Sequence, residues 1–405
     1  MAKPPLNIVC ISRFFKGKAF IQAAHAAGNN VYLLTSSKLK DKDWPWESIT
    51  DTFYMEEDER ERWNMEHVEN GLAYRMKTIK FDLFVALDDF DVEKVARLRE
   101  HFRIPGMGET TARYFRDKLA MRVKAQEEGI PIPEFTPLFN DDAIHRFTLT
   151  VPAPWIIKPR TAASAMGMKK LHTTAELWRH LEELDDQRHH YLLERFAPGD
   201  VFHVDSLCVD KKVIFARVSQ YLDTPFEVAH GGGIFRSQTL PFGSKDEKEL
   251  LKLNKQLMKA FNMNYSATHT EFIKGKVDGK YYFLETASRV GGANIAEMVE
   301  ASSGINLWSE WAKLEIAKAN NTKYKLPKIT KNNAGILVSL SRYEHPDTSS
   351  FTDDEICWRM DKEWHIGLIL KSANSHERVR ALLDAYTERV AKEFHASLPP
   401  EAPPV

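Results

Sequence analysis

The chain has 405 residues, enough for two or three domains, and at 43% hydrophobic it has ample material for a core. A formal net charge of -1 gives no electrostatic reason to expect a nucleic acid or an anionic membrane as partner. Three widely spaced cysteines, Cys10, Cys208 and Cys357, form neither a disulfide framework nor a zinc pattern. No apolar run reaches membrane-spanning length and residues 1–12 lack the regions of a signal peptide, so the expected setting is a reducing cytoplasm.

Residues 7–105 alternate apolar runs with helical patterns, which predicts a parallel sheet covered by helices. Residues 7–12, 31–35 and 82–87 read as strands, and 19–27 as a helix ended by Gly28. The segment Arg13-Phe-Phe-Lys-Gly-Lys18 stands where a nucleotide fold keeps its glycine fingerprint but holds one glycine, so as a dinucleotide site it is weak. Asp88 and Asp89 follow the third strand, at the end where open sheets bind ligands. Capping of the helix that begins near Val92 explains them equally well.

One helix is predicted over residues 109–128, with Leu119, Met121, Val123 and Ala125 as its apolar positions and Gly129 and Pro131 as its stop. Lys118 falls inside it. Residues 155–158 form an apolar strand ending in Lys158, followed by Pro159 and a run of small residues to Met168. Such a lysine is a natural triphosphate ligand, with loop amides cradling the phosphates; a strand end with a plain linker fits the same letters. A further strand covers 191–194, and a hairpin turns about Asp210, Lys211 and Lys212. On its first strand Val201, His203 and Asp205 share a face, and the isolated His203 reads as a structural histidine. Residues 229–234, with three glycines, read as a mobile loop over a site. Helices at 247–261 and 293–301 bracket the most informative stretch. A smaller α+β tail follows Leu326, with strands at 335–340, 356–359 and 365–370 and a helix at 377–394, and the proline-rich 398–405 is expected to be disordered.

Between the bracketing helices, two aromatic-rich runs flank Asp278-Gly279, a hairpin signal, and each carries one acid, Glu271 and Glu285. A two-residue turn would point the acids to opposite faces. A three-residue loop, with Gly279 left-handed, pairs Lys276 with Lys280 and sets Glu271 across from Glu285, with β-carbons about 5 Å apart. The neighbours Ile273, Phe283 and Leu284 limit solvent, so the repulsion would be poorly screened, and a hard cation between the carboxylates would remove it. A solvated strand pair is the plain alternative.

Arg116-Asp-Lys118 with Gly129-Ile-Pro131, Ile157-Lys158-Pro159, Glu271-Phe272, and Leu284-Glu285 with Arg289-Val-Gly-Gly292 follow one another in a fixed order. In that order the chain, over about residues 6–320, resembles the ATP-grasp superfamily of ligases, and in motif its L-amino acid (dipeptide) ligase branch. The resemblance implies a mixed α/β and α+β ATP-grasp fold: an N-terminal doubly wound parallel-sheet domain (1–108), an N-lobe with a small lid (109–195), a C-lobe whose antiparallel sheet carries the ATP and metal sites (196–325), and a C-terminal α+β subdomain (326–398) before the tail 399–405.

The resemblance also implies roles. Lys118 and Lys158 hold ATP phosphates under a loop containing Ser164 and Gly167. Glu194, Arg195, Phe196 and Ala197 form a hinge whose backbone reads the adenine edge. Glu271 and Glu285 bind Mg2+, for which Mn2+ can substitute, and Arg289 stabilises the transferring phosphoryl group together with Lys158. Three positions depart from the family pattern. Ala287 replaces a usual asparagine ligand, the loop after Lys158 keeps only Gly167, and the ribose-binding acid falls on Val201, leaving Asp200, His203 or Asp205 to substitute. The implied activity is ATP-dependent, ADP-forming joining of a small-molecule carboxylate to an amine through an acyl phosphate, by a cytoplasmic homodimer with no nucleic-acid or membrane partner. A bicarbonate-dependent carboxylase of the same fold and a non-catalytic nucleotide-binding regulator remain as alternatives.

Overall fold

The computed structural model describes residues 3–163 and 166–397, so the expectations for Ser164 and for residues 398–405 lie outside it. Four parallel strands, β1 (Asn7–Ser12), β2 (Asn30–Ser36), β3 (Asp51–Met55) and β4 (Leu83–Ala86), form the first sheet in the order β3-β2-β1-β4. Alternate residues feed two cores, as the period of a strand requires. Ile8, Cys10, Val31 and Leu33 pack with Phe20, Ile21 and Trp311, while Val9, Ile11, Tyr32 and Leu34 pack with Val68, Leu72, Val95 and Leu98. Helices therefore cover both faces, and the sheet is doubly wound. Strand β3 and the helix Met65–Met76 were not expected. The capping that the plain reading proposed falls one turn earlier: Asp88 accepts from Phe90 N at 3.0 Å, which caps the short turn Asp89–Asp91, and it pairs with Lys16, while the helix Val92–Phe102 that follows starts at Asp91 with no side-chain cap.

The single helix predicted over 109–128 is two, Glu109–Arg113 and Lys118–Glu127. Asp117 breaks it. Its backbone is extended and its carboxylate accepts from Leu119 N at 2.9 Å, satisfying a donor that a fresh helix start leaves free. Lys118 is consequently the first residue of a helix, and its N–H donates to Arg160 O at 2.9 Å.

A second sheet, β5 (Phe135–Pro137), β6 (Trp155–Pro159), β7 (Lys169–Leu171) and β8 (Tyr191–Arg195), has the order β5-β8-β6-β7 and packs on the helices Asp141–Thr150 and Thr174–Leu184 through Leu138, Ile144, Ile157, Leu177 and Leu193. The third sheet has eight antiparallel strands: β9 (Gly199–Val209), β10 (Lys212–Tyr221), β11 (Phe235–Thr239), β12 (Tyr265–Gly275), β13 (Tyr281–Ala287), β14 (Asn333–Leu340), β15 (Ile356–Arg359) and β16 (His365–Ser372). Their order is β13-β12-β9-β10-β11-β14-β16-β15, so the strands of the tail continue the central sheet. The loop expected at 229–234 begins inside a short helix, Pro225–Gly231, which Thr224 and Glu227 start with a reciprocal capping box and Gly232 ends at φ 61.

Candidate active site

The hairpin β12–β13 brings the two acids together by a different route from the one expected. Gly275 N donates to Lys280 O at 2.9 Å, and Lys274 pairs with Tyr281, so the turn holds one residue more than a three-residue loop. Phe272 faces Phe283, and then Leu284 bulges out, after which Glu271 faces Glu285 and Thr270 faces Thr286. The expected pairing of Lys276 with Lys280 is thus wrong by one position, and the bulge restores the register at the acids. Gly279 has the expected left-handed φ, 67.

The mutual repulsion of the acids is already answered by protein groups. Lys118 Nζ lies 2.8 Å from Glu285 Oε2 and also donates to Ala162 O at 2.7 Å. Burial pushes Glu285 up, but Lys118 and then Lys158 more than offset this and hold it well below the ordinary carboxylate range. The Tyr221 hydroxyl donates to Glu271 Oε1 at 2.8 Å, and His269 Nε2 lies 3.5 Å from the same oxygen. Burial lowers His269, while Asp205 and then Glu271 raise it further, to about 9.

Lys158, next to the end of β6, meets Glu194 on the neighbouring β8 at 2.7 Å. The other Glu194 oxygen lies 2.6 Å from Arg122 Nε, and both side chains are fully buried. Burial raises Glu194, and Arg122 and Lys158 overcome it, so this carboxylate is held below its usual range. Arg122 was missed from the sequence. The available signal was its spacing of one helical turn from Lys118, which puts both on one face.

These groups line one cavity of about 820 Å³, between the four-stranded sheet β5-β8-β6-β7 and the edge of the eight-stranded sheet. Lys118, Lys158, Glu194, Arg195, Phe196, Ala197, Asp200, Glu271, Glu285 and Arg289 all reach it, together with Tyr221, His269, Val201 and Ala287. Arg289 Nη1 donates to Val290 O at 2.9 Å, its Nε is buried without a hydrogen-bond partner, and among the described residues it forms no ion pair with a carboxylate. Three expected residues, His203, Asp205 and Gly167, do not line the cavity. His203 is fully buried, held by Asp205 at 2.6 Å and Ser237 at 2.7 Å, because β9 runs in the sheet interior with β12 and β10 on either side. Gly167 takes a left-handed turn at φ 68 beside Met168, which does line the cavity. Facing carboxylates on paired strands are the hard oxygen donors that a divalent cation takes.

No family model matches the chain. The L-arginine-specific L-amino acid ligase of Bacillus subtilis is 27% identical over 265 residues, a match spanning 64% of this chain and 61% of that relative's length. Among solved structures, the L-amino acid ligase of Bacillus licheniformis superposes with a TM-score of 0.72 at 17% identity, over 97% of this chain and 99% of that one. The chain has the ATP-grasp fold. Its ATP-grasp architecture extends to the biotin carboxylase domain of 2-oxoglutarate carboxylase from Hydrogenobacter thermophilus, a dimer in complex with MgADP, ADP and bicarbonate (TM-score 0.69, 16% identity, 93% of this chain and 89% of that one). It extends also to N5-carboxyaminoimidazole synthetase from Staphylococcus aureus complexed with ADP (0.68, 14%, 96% and 99%). At such identities the likeness is one of fold. Two of these relatives are L-amino acid ligases, the branch that the motifs resemble.

Proposed function

We propose that this protein is an ATP- and Mg2+-dependent ligase that releases ADP and joins the carboxylate of one L-amino acid to the amine of another. The observation that carries the reading is the convergence of Lys118, Lys158, Glu271, Glu285 and Arg289 on one cavity, with Arg289 in no ion pair among the described residues. The similarity to an L-arginine-specific ligase supports the substrate class.

Lys118 and Lys158, which pair with Glu285 and Glu194, would turn to phosphate oxygens when ATP binds. Glu271 and Glu285 would hold Mg2+, which supplies neutralising charge to the phosphates. The backbone of Glu194, Arg195, Phe196 and Ala197 reads the adenine edge, and Asp200, the one ribose candidate that lines the cavity, is the acid left for the ribose. A substrate carboxylate oxygen attacks the γ-phosphorus and ADP leaves. Arg289 takes oxygens of the transferring group as their charge redistributes, and positioning with electrostatics supplies most of the acceleration. The amine then attacks the acyl carbon, phosphate leaves, and the nitrogen loses a proton. An acyl phosphate hydrolyses in water, and the segment from Thr224 to Val228 together with Ala162 and Ala163, all of which line the cavity, would supply the cover that excludes it. A homodimer in the cytoplasm belongs to the same reading; no described helix is long and apolar enough to cross a membrane.

The test is ADP release with Mg2+ and pairs of L-amino acids, arginine first. At least one carboxylate–amine pair should stimulate it well above the ATP-only background, and folded protein that no pair stimulates would sink the proposal. The fold is also shared with a biotin carboxylase domain, so bicarbonate without amine is the matching control. Stimulation there would move the assignment to carboxylation, whereas tight ATP binding without turnover would mark a regulator.

A further inference from the structure

A chain of polar side chains runs from the interior of the eight-stranded sheet to the cavity wall, and apart from its last member, Glu271, it has no part in the proposed chemistry. His203 Nε2 meets Ser237 Oγ at 2.7 Å and His203 Nδ1 meets Asp205 Oδ2 at 2.6 Å. The other Asp205 oxygen takes His269 Nδ1 at 2.8 Å. His269 Nε2 faces the Tyr221 hydroxyl at 3.2 Å and Glu271 Oε1 at 3.5 Å, and that hydroxyl donates to the same Oε1 at 2.8 Å. All of these except Glu271 are buried. His203, Asp205 and His269 lie close enough together to hold a metal ion, but their ring nitrogens and both Asp205 oxygens are spent on the hydrogen bonds just given. The chain is therefore a fixed scaffold, and it ends on a cavity carboxylate.

A second observation ties it to the site. A β-carbon added at Gly291 would lie 2.8 Å from Asp205 Oδ1 and 3.0 Å from His269 Nδ1. The turn that carries Arg289 is thus packed directly against the Asp205–His269 hydrogen bond.

We infer that Asp205, His269 and Tyr221 are positioning residues for the Glu271 carboxylate: Asp205 aims the His269 ring, and the ring and the Tyr221 hydroxyl pin Glu271 Oε1, which leaves the second oxygen for a divalent cation. This rests on the reading of Glu271 as a metal ligand. Carboxylates that ligate metals are oriented by hydrogen bonds from outside the ligand set, and loss of such a partner commonly weakens metal binding.

The experiment is Mn2+ binding to the full chain with a non-hydrolysable ATP analogue, read by electron paramagnetic resonance. Wild type is compared with Tyr221→Phe and Asp205→Asn, and melting temperature and metal-free analogue binding are recorded on the same samples. Both variants should raise the Mn2+ Kd by roughly 10–100-fold, with metal-free analogue binding essentially unchanged. Tyr221→Phe removes one hydroxyl and little packing, so it decides the matter if Asp205→Asn fails to fold. An unchanged Mn2+ Kd in Tyr221→Phe, with wild type binding the metal, overturns the positioning role alone. No Mn2+ binding by wild type overturns the metal role of Glu271 and this inference with it.

Discussion

At the scale of single residues, the side chains of the site balance one another's charges, and two variants follow from how they do so. Glu285 carries the charge of a buried lysine, so Glu285→Gln should destabilise the metal-free protein. The expected cost is on the order of 1–3 kcal/mol, below that of a fully buried pair because 31% of the Glu285 side chain is exposed. Thermal melts without nucleotide or metal measure it, and an unchanged melting temperature would show that Lys118 does not depend on Glu285. Like-charge repulsion between Glu271 and Glu285, taken alone, suggests the opposite sign, since it counts two acids and omits the lysine paired with one of them. Arg289 has no such partner among the described residues. Arg289→Lys should therefore leave the melting temperature nearly unchanged while kcat falls roughly 10²-fold, because a point charge cannot hold two oxygens of the transferring group as a planar fork does. Equal kcat with a lower melting temperature would make Arg289 a structural brace.

At the scale of elements, legibility followed burial. The strands β1, β2 and β4 and the helix Lys245–Ala260 declared themselves through strong apolar patterns, and they stand within two residues of where the sequence puts them. Strand β3 did not, because it is a half-exposed edge whose Asp-Thr-Phe-Tyr-Met carries little contrast between faces. The break at Asp117 escaped because an acid among helix formers reads as a solvated face, and only its carboxylate's reach to Leu119 N reveals a cap. The facing of Glu271 and Glu285 was legible as one of two registers, although the loop length behind it was off by a residue and the bulge at Leu284 supplied the correction. His203 shows the limit in the other direction. Its place on a strand face with Val201 and Asp205 was readable, but the depth of that face depends on β10 and β12, which no local pattern reports.

At the scale of the whole molecule, the tail is part of the core. Ile336 on β14 packs in the same apolar cluster as Ile8 and Trp311, and β14 is paired with β11 along residues 335–338. A chain ending at residue 325 should therefore be insoluble or melt without cooperativity, since it uncovers the edge of β11 and the apolar residues behind it. Expression of residues 1–325 tests this; a soluble product with a cooperative melt and ATP-analogue binding would show that the tail is a separable unit.

The pairing of β11 with β14 also sets a schedule. Thr239 is synthesised long before Asn333, and at roughly 5–20 residues per second the interval lasts several seconds. Throughout it β11 is an open edge, with its hydrogen-bonding groups unclaimed on one side, because β12 and β13, made in the interval, pair with β9 and with each other. The nascent chain thus passes through a stage in which a ribosome-bound chaperone, or the same strand on a neighbouring copy, competes for the place that β14 will take.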